Sequence, residues 1–177
     1  MVALLALLLA VPGSYRSSAA PNDDPQVRLE TAPASGAYGD LFTTIIAADH
    51  IISPGLSAWQ TTVTFDPAIL AVDSVTFGSD LGSTGRFFGD IGPDLRVDDI
   101  TLAQFSYGSG DGPVGDGIHL ATIVWRGVGG GTSLLDVNES ILLDTEAGDL
   151  TPVGEVDDEI EVTPAPYRFR LPLIFKR

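Results

Sequence analysis

Between Ser57 and Thr76 the chain reads SAWQTTVTFDPAILAVDSVT, with apolar and polar positions alternating on both sides of one interruption. In Ala58–Phe65 the residues Trp59, Thr61, Val63 and Phe65 fall on one face, and Ala58, Gln60, Thr62 and Thr64 on the other. Successive side chains of a strand point to opposite sides, so this pattern predicts a half-buried strand. Asp66-Pro67 stops the ladder, because proline donates no N–H and turns the residue before it away from helix. Ala68-Ile69-Leu70 then puts two large apolar side chains into the turn itself, before Val72, Val75 and Phe77 resume. An ordinary turn has no use for them; a plug on the end of a sandwich does.

The same period of two recurs along the chain. Val27 and Leu29 alternate with Arg28 and Glu30, and strands are also predicted over Leu41–Asp49, Ile118–Val128, Thr132–Val137, Ser140–Thr145 and Val153–Thr163. Leu95–Tyr107 holds one or two more. In Ile118–Val128, Ile118, Leu120, Thr122 and Val124 oppose His119, Ala121, Ile123 and Trp125. Gly78–Pro93 is rich in glycine and serine and reads as a long loop with a short embedded strand; Gly108–Gly117, GSGDGPVGDG, reads as a loop. No helical period is sustained. About nine short strands with turn signals every eight to twelve residues predict an all-β domain, a sandwich or jelly roll.

The ends follow other rules. Val2–Val11 is an apolar run too short to cross a bilayer, and Ser18-Ala19-Ala20 offers small residues for cleavage. Residues 1–20 are therefore expected to be an export signal, residues 21–163 the folded domain, and residues 164–177 a proline-containing linker with a basic, apolar tail. Leu171–Phe175 is too short to span a membrane, and its basic flanks suit a membrane interface or a sorting tag. The expected location is extracellular, secreted or at the cell surface. With no cysteine, stability there must come from a core and not from disulfides.

Charge and composition narrow the chemistry. Residues 21–163 hold four arginines, Arg28, Arg86, Arg96 and Arg126, against all 24 acids of the chain. Such a body repels phosphate backbones, which excludes nucleic acid as a partner. Two histidines and no cysteine give little for a zinc site. No G-x-S-x-G marks a serine nucleophile, and a small sandwich with short loops offers paired carboxylates no deep cleft. No catalytic residue is expected. Asp111 and Asp116 are candidate calcium ligands by residue type, although Asp-Gly turn chemistry accounts for both without a metal. Trp59 and Trp125 share faces with Val63, Phe65, Ile123 and Ala121, so both are expected in the core. Tyr38, Phe87, Phe88 and Tyr107 lie on separate segments and form no evident sugar-binding strip.

The run from Ser57 to Thr76, together with Gly115-Asp116-Gly117-Ile118 and Leu120-Ala121-Thr122-Ile123, resembles the cohesin domain family. Residues 27–163 fit the order of its segments. The resemblance implies a flattened jelly roll of about nine strands acting as a non-catalytic, monomeric receptor for a dockerin module, often within polysaccharide-degrading assemblies. Any calcium in such a complex would belong to the dockerin. It also implies contact through one sheet face, with Ala58, Gln60, Thr62 and Thr64 presented there, joined by parts of the Ile100–Tyr107 and Ile118–Trp125 strands. Type I cohesins carry an Asn and an Asp at about the positions of Ala58 and Gln60, and this chain has neither. Carbohydrate-binding modules share the jelly roll, which makes a polysaccharide the alternative ligand.

Overall fold

A computed structural model describes residues 24–150 and 153–165; the expected export segment 1–20 and the tail beyond Ala165 lie outside them. The described residues form strands β1 (Gln26–Ala32), β2 (Ser35–Ala37), β3 (Leu41–Asp49), β4 (Leu56–Thr64), β5 (Leu70–Phe77), β6 (Phe87–Leu95), β7 (Asp99–Tyr107), β8 (Ile118–Gly127), β9 (Gly131–Asp144), β10 (Gly154–Val156) and β11 (Asp158–Thr163). Two sheets result, a five-stranded one in the order β10-β1-β3-β8-β5 and a six-stranded one in the order β2-β11-β9-β4-β7-β6. This is the expected all-β sandwich, with eleven strands where about nine are read from sequence.

The differences have physical causes. Val153–Thr163 is two strands: β10 pairs parallel with β1, and β11 pairs antiparallel with β9 in the opposite sheet. Thr132–Val137 and Ser140–Thr145 are one strand, because the break between them is a bulge at Glu139-Ser140 opposite Gln60–Thr62. Most of the supposed loop Gly78–Pro93 is a short 3-10 turn, Asp80–Gly82, followed by β6. Glycine and proline disguised β6, but an edge strand tolerates both. A second bulge, where Ile46 faces Ala121 and Ala47 faces His119, leaves Leu120 as the extra residue. Leu120 and Ala121 are therefore both buried, which breaks the simple alternation in that strand.

The core lies between the sheets. Phe42, Ile46, Leu120, Ile123 and Trp125 meet Trp59, Val63, Ile100, Leu102, Leu135, Val137 and Leu142. Trp59 is 2% exposed and Trp125 fully buried, as their strand faces require. Each indole N–H finds an acceptor, Gln104 Oε1 at 3.2 Å for Trp59 and Thr44 Oγ1 at 2.8 Å for Trp125. Gln104, itself buried, donates to Gly78 O and to Asp90 Oδ1, both at 2.8 Å, which ties β6 to the interior.

The Phe-Asp-Pro corner closes one end as the sequence suggests. Asp66 Oδ1 accepts the Ala68 N–H at 2.8 Å, and Asp66 O accepts from Ile69 and Leu70. This single turn drives Ile69 and Leu70 inward, and Phe65 packs on Trp125 with ring centroids 5.0 Å apart. At the opposite end the glycine-rich loop lies against the start of β4. A Cβ on Gly112 would stand 2.1 Å from Leu56 O, and one on Gly55, at φ +90°, 2.3 Å from Gly112 O. Close backbone approach explains those glycines.

Asp49 joins three segments at that end. Arg28 Nε and the Gly117 N–H each donate to it at 2.5 Å, and Gln26 Nε2 at 3.4 Å. Burial pushes its pKa up, yet the bonds from Gly117 and Arg28 outweigh burial and hold it below the ordinary carboxylate value. A depressed folded pKa stabilises above the unfolded pKa, and that stability is lost as pH falls through the folded value. Asp49→Asn is therefore expected to cost about 2 kcal/mol at pH 7 in urea denaturation and progressively less below about pH 4. An equal cost at pH 7 and in strong acid would show that charge is irrelevant there.

Candidate docking face

β4 sits inside the six-stranded sheet, between β7 and β9, so its outward residues lie mid-face. Ala58, Gln60, Thr62 and Thr64 all point outward and are half-buried by their neighbours. Register then sets four cross-sheet rows. Leu143, Ala58, Phe105 and Gly89 form the first, and Ile141, Gln60, Ala103 and Ile91 the second. Asn138, Thr62, Thr101 and Asp94 form the third, and Asp136, Thr64 and Asp99 the fourth. Beyond the first row, Phe87 pairs with Tyr107. The Ile118–Trp125 strand is a correction: it is β8 of the five-stranded sheet and takes no part in this face. Its inward residues fill the core behind.

The rows change in character along the strands. At one end Phe87, Ile91, Phe105, Tyr107 and Ile141 are exposed. Phe87 stacks on Tyr107 with centroids 5.6 Å apart, and Tyr107 on Phe105 at 6.2 Å. This corrects the expectation of scattered aromatics, because the β6–β7 hairpin brings Phe87 beside Tyr107 while Phe88 faces the other way, over Gly82. Between the first two rows a shallow apolar notch of about 270 Å³ is bordered by Ala58, Ile91, Ala103, Phe105, Ile141 and Leu143. The other end holds Asp94, Asp99 and Glu139 around a polar depression of about 460 Å³, with Arg96 as its one cation among the described residues. Thr62 and Thr101 hydroxyls meet at 3.0 Å on its floor.

The aromatic end rests on a buried arginine. Arg86, 8% exposed, donates to Ser106 Oγ at 3.1 Å, to Gly108 O at 3.1 Å, to Gly110 O at 2.7 Å and to Ser106 O at 3.4 Å. Ser106 Oγ donates in turn to Ser57 O at 3.1 Å. A guanidinium held by carbonyls and a hydroxyl locks the residues that flank Phe87 and Tyr107 to the start of β4. At the acidic end, burial comes first in raising the Asp157 pKa, followed by the nearby Asp136 and Glu155 charges, and together these outweigh the Val137 N–H that Asp157 accepts.

The candidate calcium ligands are not brought to a common site. Asp116 Oδ1 accepts the His50 N–H at 2.9 Å, while Asp111 is exposed in the loop. Among the described residues no group of three or more His, Cys, Asp or Glu is placed to hold a metal. Nor is any described helix long and apolar enough to cross a membrane.

No family model matches the chain, and no curated protein matches it. Solved structures do. The third cohesin ScaC of Acetivibrio cellulolyticus, solved with the ScaB dockerin, matches with a TM-score of 0.63 at 19% identity, covering 78% of this chain and 99% of that one. The chain has a cohesin-like fold. A non-cellulosomal cohesin from the archaeon Archaeoglobus fulgidus matches at TM-score 0.61 and 13% identity, covering 79% of this chain and 91% of that one. The OlpA cohesin of Clostridium thermocellum, solved with the Doc918 dockerin, matches at TM-score 0.61 and 15% identity, covering 78% and 99%. The sequence placed β4 and its neighbour β7 on this face and missed β6 and β9. Phe87, Ile91 and Asp94 were hidden by glycine and proline; Asp136, Asn138 and Ile141 were hidden by the β9 bulge. The alternation of Phe87, Gly89 and Ile91 was the signal available for β6.

Replacing Arg86 by Met should leave buried carbonyls unpaired and cost about 2–3 kcal/mol in denaturant unfolding, with loss of the near-ultraviolet dichroism of Tyr107. Unchanged stability would deny Arg86 its positioning role. Asp157 gives the opposite pH sign to Asp49. A raised folded pKa favours the protonated form, so stability is lost as pH rises through it. Asp157→Asn keeps the acceptor for Val137 and is expected to stabilise by about 0.5 kcal/mol at pH 7, with the gain vanishing in acid.

Proposed function

We propose that this protein is a non-catalytic, extracellular binding module that docks a dockerin-type protein partner on the outward face of β9-β4-β7-β6. Ala58, Gln60, Thr62 and Thr64 lie at the centre of the contact, and the setting is an assembly for polysaccharide degradation. The observation that carries the reading is this open four-strand face on a cohesin-like fold, with an apolar notch and exposed aromatics that a partner would cover. Structural neighbours solved with dockerins support it. Contact rests on cross-strand rows, so the absence of an Asn–Asp pair at Ala58 and Gln60 alters specificity and leaves the face itself in place.

One observation favours a second reading. Phe87, Tyr107 and Phe105 form an exposed aromatic group of the kind that stacks on sugar rings, so a polysaccharide is the alternative ligand. Pull-down from the source organism's secretome separates the two when paired with affinity electrophoresis in cellulose, xylan and chitin gels. The protein-docking reading predicts a captured protein that the double variant Gln60→Arg, Thr62→Arg loses at least 100-fold, with no retardation in any gel. Retardation abolished by Tyr107→Ala, with no protein captured, would transfer the function to sugar.

A further inference from the structure

Resting on the protein-docking reading, we infer that the face binds its partner in a single orientation. An apolar side chain of the partner fills the notch, and lysines or arginines of the partner lie over the acidic end. The warrant is the order of the rows. From Phe87–Tyr107 to Asp136–Thr64–Asp99 the surface passes from aromatic, through aliphatic and hydroxyl, to carboxylate. Rows on one face of a strand repeat about every 6.8 Å, so the notch and the carboxylates are on the order of 14 Å apart. One partner surface can meet both at once.

Each end rejects the opposite chemistry. Among the described residues Asp94, Asp99, Asp136 and Glu139 stand against Arg96 alone, whose Nη2 is 3.6 Å from Asp94 and whose Nε is 3.9 Å from Asp99. Asp99 Oδ1 is buried and has no hydrogen-bond partner among the described residues. Covering these carboxylates with an apolar or acidic surface removes their water and returns nothing, whereas a cation of the partner compensates their charge. The aromatic end has the reverse need. Phe87 is 68% exposed, Ile91 57% and Tyr107 57%, and the notch beside them is mostly apolar, with Gln60 and Gln104 as its polar members. An anchor of aliphatic or aromatic type gains most there, and a charge would be stranded. The acidic excess of the whole body adds long-range attraction for a basic partner.

The test uses the full chain against a displayed panel of dockerin modules whose docking surfaces range from basic-apolar to neutral and acidic. Retention of basic-apolar members supports the inference. Retention only of neutral or acidic members overturns it and leaves the docking reading standing; retention of none overturns the docking reading itself. For a retained member, Asp94→Asn with Glu139→Gln should weaken binding about tenfold at low salt and flatten its salt dependence, while Ile141→Asp should abolish binding at every salt concentration. Both variants change exposed side chains, and unchanged thermal unfolding controls for folding. An acidic-end variant that binds as tightly as the parent, with the same salt slope, overturns the inference.

Discussion

The register of β4 between β7 and β9 is the constraint on which the rest of the molecule depends. Side chains alternate with a period of two, so a slip of one residue would turn Trp59 and Val63 out to solvent and Ala58 and Gln60 into the core. The indole of Trp59, bonded to buried Gln104, makes such a slip costly, because it would orphan both groups. Gln104 extends the same tie to Gly78 and to Asp90 on β6. One strand thereby fixes where the core ends, which residues face outward, and how the edge strand with the aromatics is held.

Closure at the two ends keeps that register from fraying. At the corner after β4, Asp66 folds Ile69 and Leu70 over the core, and its own N–H is bonded by Ser133 Oγ at 2.9 Å, at the start of β9. At the other end Arg86 and Ser106 bind the glycine-rich loop and the first residues of β4 into one network. The two devices differ in kind, apolar burial at one end and a satisfied buried cation at the other. They bracket the same face, and the change from acidic to aromatic rows runs between them.

Much of this was legible in the chain. Alternation in Ala58–Phe65 separates inward from outward residues correctly, and the Phe-Asp-Pro corner with Ile69 and Leu70 foretells its plug. What was not legible came from long-range pairing and from bulges. Nothing local says that Val153–Thr163 crosses between sheets at Asp157, or that β8 stands in the sheet opposite β4. Phe87 and Tyr107 are twenty residues apart and become neighbours only through the β6–β7 register. The bulge at Glu139-Ser140 breaks the very period used to assign faces, so β9 of the candidate face escaped notice, and the bulge at Leu120 does the same to the alternation of β8.

The contact surface proposed for this fold is one face of one sheet. Amide chemical-shift mapping of the isotope-labelled chain, titrated with a bound dockerin-type partner, measures that directly. Shifts are expected to concentrate at Ala58–Thr64, Thr101–Tyr107, Phe87–Ile91 and Asp136–Leu143, with the outward residues of β3 and β8, such as Ile45 and Thr122, unmoved. Shifts centred on β3 and β8, with β4 silent, would contradict it.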